Sequence, residues 1–177
     1  WNYPWEGKVS CIATGLVKSA YPTAIKERRM AAAVSHFRLW TECFEKKEPI
    51  IVLEHDAFFI KKLDYQYLLD SKYDIIGINN PLGATRRAQL FHDIIKKNKK
   101  DIQPVPTIDE FNIPQGLAGN SAYIIKPSGA EKMIELVFKY GLWPNDALMC
   151  KQLVDNLGVS KTFYTRVQGL TSTTTQH

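Results

Sequence analysis

The segment Ile50-Ile51-Val52-Leu53 constrains the fold more than any other in the chain, because four apolar residues run together with no polar alternation. A strand that is covered on both faces reads this way, whereas a half-exposed strand alternates. The run predicts an interior strand of a sheet. Upstream, Met30, Ala33, Phe37, Trp40 and Phe44 recur at three- and four-residue spacing, the stripe of an amphipathic helix over 23–46 that stops before Pro49 and packs on that strand.

Strand and helix patterns then alternate. Val9 to Ala13 reads as a short strand, Leu63 to Leu69 as a short helix, and Asp74 to Ile78 as a second apolar strand ending in the turn cluster Asn79-Asn80-Pro81-Leu82-Gly83. Between Thr85 and Pro114 the pattern weakens into a basic helix end (Lys96, Lys97, Lys99, Lys100) and a long loop with three prolines. Ser121 to Ile125 is a strand. Ser128 with Glu131 has the spacing of a capping box for a helix reaching Gly141, a last helix runs from Asp146 to Leu157 with Gly158 as its stop, and Val159 to Val167 alternates loosely as a terminal strand. The expected class is α/β, with a mainly parallel central sheet flanked by helices and ligands at the carboxyl ends of the strands. One domain over 1–170 with a polar tail at 171–177 accommodates these elements.

Composition narrows the partners. With 45% hydrophobic and 23% charged residues, the 177-residue chain can bury a substantial core. No apolar run reaches the roughly 20 residues that span a bilayer, and no signal-peptide pattern is present. The net charge of +5 favours acidic partners such as nucleotide phosphates, anionic lipid headgroups or nucleic acid. Three widely separated cysteines (Cys11, Cys43, Cys150) argue against a disulfide framework, so a reducing, cytoplasmic setting is expected, with peripheral membrane association left open. The first residue is Trp1 rather than Met, as in a processed or excised chain.

Directly after the apolar run come Glu54, His55 and Asp56. Two carboxylates one residue apart repel unless a cation sits between them, and alternation in an extended segment puts Glu54 and Asp56 on one side with His55 opposite. Hard oxygen ligands suit Mn²⁺ or Mg²⁺. The competing explanation is that they cap a turn or pair with lysine or arginine. His36 shares a helical stripe with Ala32, Leu39 and Cys43, so it is either a satisfied core group or a residue that lines a donor site or orients the acidic motif. Asp146 after Pro144 has a capping explanation and a catalytic one. Arg86 and Arg87, beside a turn, are candidates for chelating phosphate. The lysine run reads as a solvated face, and Tyr123 as a packing residue.

Three blocks together resemble glycosyltransferase family 25, whose members include lipooligosaccharide and collagen galactosyltransferases. They are Ala32-Ala33-Val34-Ser35-His36-Phe37-Arg38-Leu39-Trp40; Ile51-Val52-Leu53-Glu54-His55-Asp56-Ala57; and Gly119-Asn120-Ser121-Ala122-Tyr123-Ile124-Ile125 with Gly129-Ala130 and Pro144-Asn145-Asp146. Order and spacing agree from about Arg28 to Asp146. The sequence departs from the family pattern where His55 replaces a middle Asp and where Arg29-Met30-Ala31-Ala32 replaces a Glu-x-Gly-Cys lead. The family's opening strand, which ends in Asn-Leu and an Arg, has no visible counterpart, so the missing contacts either precede Trp1 or are made differently.

The resemblance implies a nucleotide-diphospho-sugar transferase (GT-A) fold and transfer of a hexose, galactose or glucose, from a UDP-sugar to a hydroxyl of a glycan, glycolipid or modified polymer, with inversion. It implies Mn²⁺ or Mg²⁺ held by Asp56 and Glu54, His36 and Asn120 at the donor site, and Asp146 as the base; Arg86 and Arg87 join the donor site as phosphate candidates on their chemistry alone, and Asp109 and Glu110 are rival bases because an irregular loop can close over both substrates. The readings from other classes are a nucleic-acid-binding module, motivated by charge and interleaved aromatics such as Phe91 and Phe111, and a non-catalytic scaffold on a transferase-like fold.

Overall fold

The structure is a computed structural model that describes residues 26–85, 87–108, 115–141 and 144–169, with side chains from residue 31 onward. The expected strand at Val9 to Ala13 and the tail at 171–177 lie outside the described residues.

The long helix α1 (Lys26–Lys46) forms as its stripe predicts. Ala33, Val34, Phe37, Trp40 and Cys43 are buried, and Phe44 packs at their margin. Chain order continues with β1 (Ile50–Leu53), β2 (Ala57–Phe59), α2 (Tyr65–Leu69), β3 (Ile75–Gly77), α3 (Ala88–Lys97), β4 (Ile102–Pro104), β5 (Ala122–Ile125), α4 (Pro127–Tyr140), α5 (Asn145–Leu148), β6 (Leu157–Ser160) and β7 (Thr165–Val167). The main sheet has the order β1-β5-β3-β6-β4, and β2 and β7 form a separate ribbon. On one face, α1 and α4 pack over Val52, Ile75, Tyr123, Ile125, Leu157 and Val159. The other face carries a second cluster of Leu68, Tyr73, Ile76, Ile78, Ala122, Ile124 and Tyr164. Helices therefore flank a sheet, the α/β class that was expected.

Its direction differs. The sheet is mixed rather than mainly parallel: β3 and β6 run parallel, while the β1–β5, β3–β5 and β4–β6 pairs are antiparallel. Alternating strands and helices along a chain suggest successive parallel crossovers, but β5 arrives after a long excursion and inserts antiparallel between β1 and β3. Apolar runs record burial and carry no information about direction.

Strand β1 is also not interior among the described residues. It pairs with β5 on one side, and its faces differ: Val52 is 2% exposed, whereas Ile51 and Leu53 are 37% and 41% exposed. Period-2 geometry explains this, since Val52 turns toward α1 and its neighbours turn away.

Four further features depart from the sequence pattern. The expected helix from Asp146 to Leu157 is the four-residue α5, and Gly158 lies inside β6 rather than at a helix end. A Cβ on Gly158 would come 2.6 Å from the Tyr73 ring, so the glycine lets that ring lie on the strand backbone. The region between Thr85 and Pro114 holds α3 and the edge strand β4, with Pro104 in the sheet position a proline tolerates. The single terminal strand is two, β6 and β7, and the Ser128 hydroxyl bonds Asp74 Oδ1 at 2.5 Å instead of forming a capping box, with α4 opening at Pro127.

Candidate active site

Four segments meet at one end of the sheet. The residues after β1 pair with those before β5, since the Glu54 N–H donates to the Ser121 carbonyl at 2.8 Å. The residues after β3 pair with β7, since Asn80 N–H donates to Thr165 O at 2.8 Å and the Thr165 hydroxyl donates to the buried Asn79 Oδ1 at 3.0 Å. The ribbon joins the two groups, because Gln168 N–H donates to Asp56 O at 2.9 Å. Gly119, at φ +72°, closes the assembly: a Cβ there would lie 2.5 Å from Ala84 Cβ and 3.0 Å from Asn79 Nδ2. Glycine therefore allows both the left-handed turn and the close approach of the two loops.

The acidic motif does not continue β1 as an extended segment. The Ala57 N–H donates to Glu54 O at 3.0 Å, which closes a turn through His55 and Asp56. Strand alternation therefore does not relate the two carboxylates, and each is placed by a different neighbour. Glu54 faces α1, and Asp56 belongs to the start of the ribbon.

Glu54 terminates a chain of hydrogen bonds that begins in the core. The Trp40 Nε1–H donates to the Tyr123 hydroxyl at 2.9 Å, Tyr123 Oη lies 2.7 Å from His36 Nδ1, and His36 Nε2 lies 3.3 Å from Glu54 Oε1. Trp40, Tyr123 and His36 are 1%, 0% and 4% exposed. Burial pushes the Tyr123 phenol far above its ordinary range, so it keeps its proton. Because indole N–H only donates, Tyr123 accepts from Trp40, and His36 Nδ1 is the acceptor beside its own buried O–H. With Nδ1 accepting, the His36 ring carries its proton on Nε2 and donates it to Glu54. The two alternatives for His36 merge: it is a buried core group, and it holds the acidic motif.

Asp56 and Asn120 have the opposite character. Asp56 Oδ1 and both side-chain polar atoms of Asn120 are buried without a hydrogen-bond partner among the described residues. Buried polar groups are nearly always satisfied, so orphans mark where a ligand or ion belongs. Among the described residues no group of three or more histidine, cysteine or carboxylate side chains gathers as a metal site. The chemistry of the donor set still fits Mn²⁺ or Mg²⁺, which bind through one or two carboxylates and take their remaining ligands from phosphate oxygens and water.

A cleft of about 650 Å³ is lined by Phe58, Asn80, Leu82, Gly83, Arg166, Val167, Gln168 and Gly169; Gln168, bonded to Asp56 O, joins it to the acidic motif, while Glu54, Asp56 and Asn120 are not among its lining residues. Asn80, Arg166 and Gln168 went unnoticed in the sequence. The first sat in a turn cluster, Arg166 in a loose strand pattern and Gln168 just beyond it, and the pairing of β7 with β2 brings the last two to the motif. Asp146 is exposed in the first turn of α5, where Pro144 holds the N-cap position without a side-chain cap bond, and a four-residue helix has little dipole to offer. Its carbonyl would lie 3.0 Å from a Cβ on Gly116, which docks α5 on the strand-like segment leading to Asn120. Arg87 is exposed at the start of α3, outside the residues that line the cleft. Arg86, Asp109 and Glu110 lie outside the described residues. Lys97, Lys99 and Lys100 are exposed, as a solvated face requires, while Lys96 lies over the Phe163 ring. No helix among the described residues is long and apolar enough to cross a membrane.

Comparison with known protein families matches residues 16–149 to glycosyltransferase family 25 (LPS biosynthesis protein). No curated protein sequence matches the chain. The matched span covers well over half of the 177 residues and contains all three sequence blocks, with His36, Glu54, Asp56, Asn120 and Asp146 inside it. The chain thus belongs to glycosyltransferase family 25 and is a glycosyltransferase, an enzyme that transfers a sugar from a donor to a glycoconjugate acceptor.

Proposed function

We propose that this glycosyltransferase, on a nucleotide-diphospho-sugar transferase fold, moves a hexose from a UDP-sugar to an acceptor hydroxyl with inversion and with Mn²⁺ or Mg²⁺ at the acidic motif. The observation that carries this reading is the orphaned Asp56 Oδ1, on a residue whose backbone is bonded to Gln168 of the cleft wall, together with the orphaned amide of Asn120. A carboxylate oxygen withdrawn from water with no donor has lost its solvation and calls for a cation.

Asp56 would be the principal metal ligand. Glu54 would be the second through Oε2, since its other oxygen, Oε1, accepts from His36. A divalent ion held there would supply the positive charge that a diphosphate leaving group needs. The Asn120 amide offers a donor and an acceptor to the nucleotide sugar. In the reaction the acceptor oxygen forms a bond to the anomeric carbon as the bond from that carbon to the diphosphate oxygen breaks, and the acceptor proton passes to a carboxylate. Asp146 is assigned that role because it is exposed and lies on the segment docked against residues 115 and 116; Asp109 and Glu110 are the other candidates.

Calorimetric titration of UDP in the presence of Mn²⁺ and of a chelator tests the central claim. UDP binding is expected to strengthen with Mn²⁺ in the wild type and to lose that dependence in Asp56→Asn. Equal affinity with metal and with chelator would overturn metal dependence.

A further inference from the structure

The cleft beside the acidic motif contains a cation that the transferase reading has not used. Strands β2 and β7 pair antiparallel with Ala57 opposite Val167, Phe58 opposite Arg166 and Phe59 opposite Thr165. Directly opposed residues project from the same face of a ribbon, so Phe58 and Arg166 stand side by side. The guanidinium carbon of Arg166 sits 4.9 Å from the centre of the Phe58 ring. One step further along, the bond from Gln168 N–H to Asp56 O continues the ladder to the acidic motif itself. The arginine is thus fixed two residues from the chain segment that grips Asp56.

Its surroundings explain what it is for. Phe58, Arg166 and Gln168 all line the cleft with Asn80 and Gly83, and among the described residues no carboxylate pairs with Arg166. An arginine resting on an aromatic ring loses little freedom when it binds, and its N–H donors still face outward in a fork that matches two phosphate oxygens. We propose that Arg166, held on Phe58, is the anion-recognition residue of this cleft, and that its ligand is a phosphate group carried by one of the two substrates.

Two sources share that chemistry: the diphosphate of the donor and a phosphate ester on the acceptor. The proposal rests on the transferase reading for the identity of the substrates, but phosphate binding by Arg166 can be measured without turnover. The probes are UDP with Mn²⁺, inorganic pyrophosphate, glucose 6-phosphate and glucose, titrated into wild type, Arg166→Gln and Arg166→Lys. Arg166 is exposed, so both variants should keep the wild-type circular dichroism spectrum and melting temperature. Binding of at least one phosphate probe should weaken about tenfold or more in Arg166→Gln and less in Arg166→Lys. Weakening of UDP and pyrophosphate places the site on the donor. Weakening of glucose 6-phosphate alone, with glucose unaffected, places it on the acceptor. Identical affinities of wild type and Arg166→Gln for all three phosphate probes, or a wild type that binds none of them, would overturn the proposal. An arginine effect that persists while UDP binding ignores Mn²⁺ would keep this site and discard the metal.

Discussion

Replacing Tyr123 with phenylalanine removes one oxygen from the centre of the hydrogen-bond chain and leaves the ring in place. The ring is fully buried and stacks on His36 with 5.7 Å between centroids and a 13° interplanar angle, so packing should survive. Two groups then lose their partner: the Trp40 Nε1–H, which donated to that oxygen, and His36 Nδ1, which accepted from it. A buried group left unsatisfied costs about 1–3 kcal/mol, so the pair should cost about 2–6 kcal/mol. That is a large share of the roughly 5–15 kcal/mol that holds a domain together. A second effect concerns function. With no O–H pointed at Nδ1, the imidazole is free to carry its proton there, and Nε2 then presents a lone pair toward Glu54 Oε1, 3.3 Å away. Urea denaturation of wild type and variant measures the first effect, and ¹⁵N chemical shifts of the His36 ring measure the second, with the Nε2–H tautomer expected in the wild type. A stability loss below about 0.5 kcal/mol, together with an unchanged tautomer, would refute the directed chain.

Asp146→Asn should lower turnover by about a hundredfold or more while UDP affinity stays within about twofold, because a base contributes in the transition state and not to donor binding. Steady-state rates with UDP calorimetry check this, and weakened UDP binding with unchanged turnover would make Asp146 a donor-site residue. Cys43 is fully buried, donates to Ile125 O, and has its thiol pushed up from 9.0 to about 11 by burial. The native state therefore holds the proton more tightly than the unfolded chain, so this contribution is intact below about pH 9 and fades as pH rises toward 11. Comparing urea midpoints of wild type and Cys43→Ala at pH 8 and pH 10.5 should show the wild type losing more stability than the variant.

What could be read in the sequence was local. The stripe Ala33, Phe37, Trp40 identifies α1 because helical period and burial coincide, and the apolar runs at 50–53, 75–77 and 122–125 identify strands for the same reason. Strand direction and the edge position of β1 depend on where β5 inserts, which no short window records. The acidic motif was visible as a candidate because two carboxylates follow an apolar run. The turn that separates Glu54 from Asp56 was not, since the assumption of extended backbone hid it. His36 was legible as a residue of the helical stripe, but its contact with Glu54 depends on how α1 lies against the end of β1. Arg166 and Gln168 were invisible because their meaning lies entirely in the pairing of β7 with a strand more than half the chain away.

That pairing bears on how the enzyme comes into being. The helix α1 and the strand β1 can acquire structure early in synthesis, whereas the far wall of the cleft is supplied by residues 165–169, near the end of the described chain. Contacts that span so much sequence carry a high loop-closure cost and form late. A nascent chain would therefore carry its carboxylates through the synthesis of about a hundred further residues with no pocket to act in. A chain cut after β6 should retain the main sheet and lack the cleft, so competence to bind substrate comes only after the main sheet is complete.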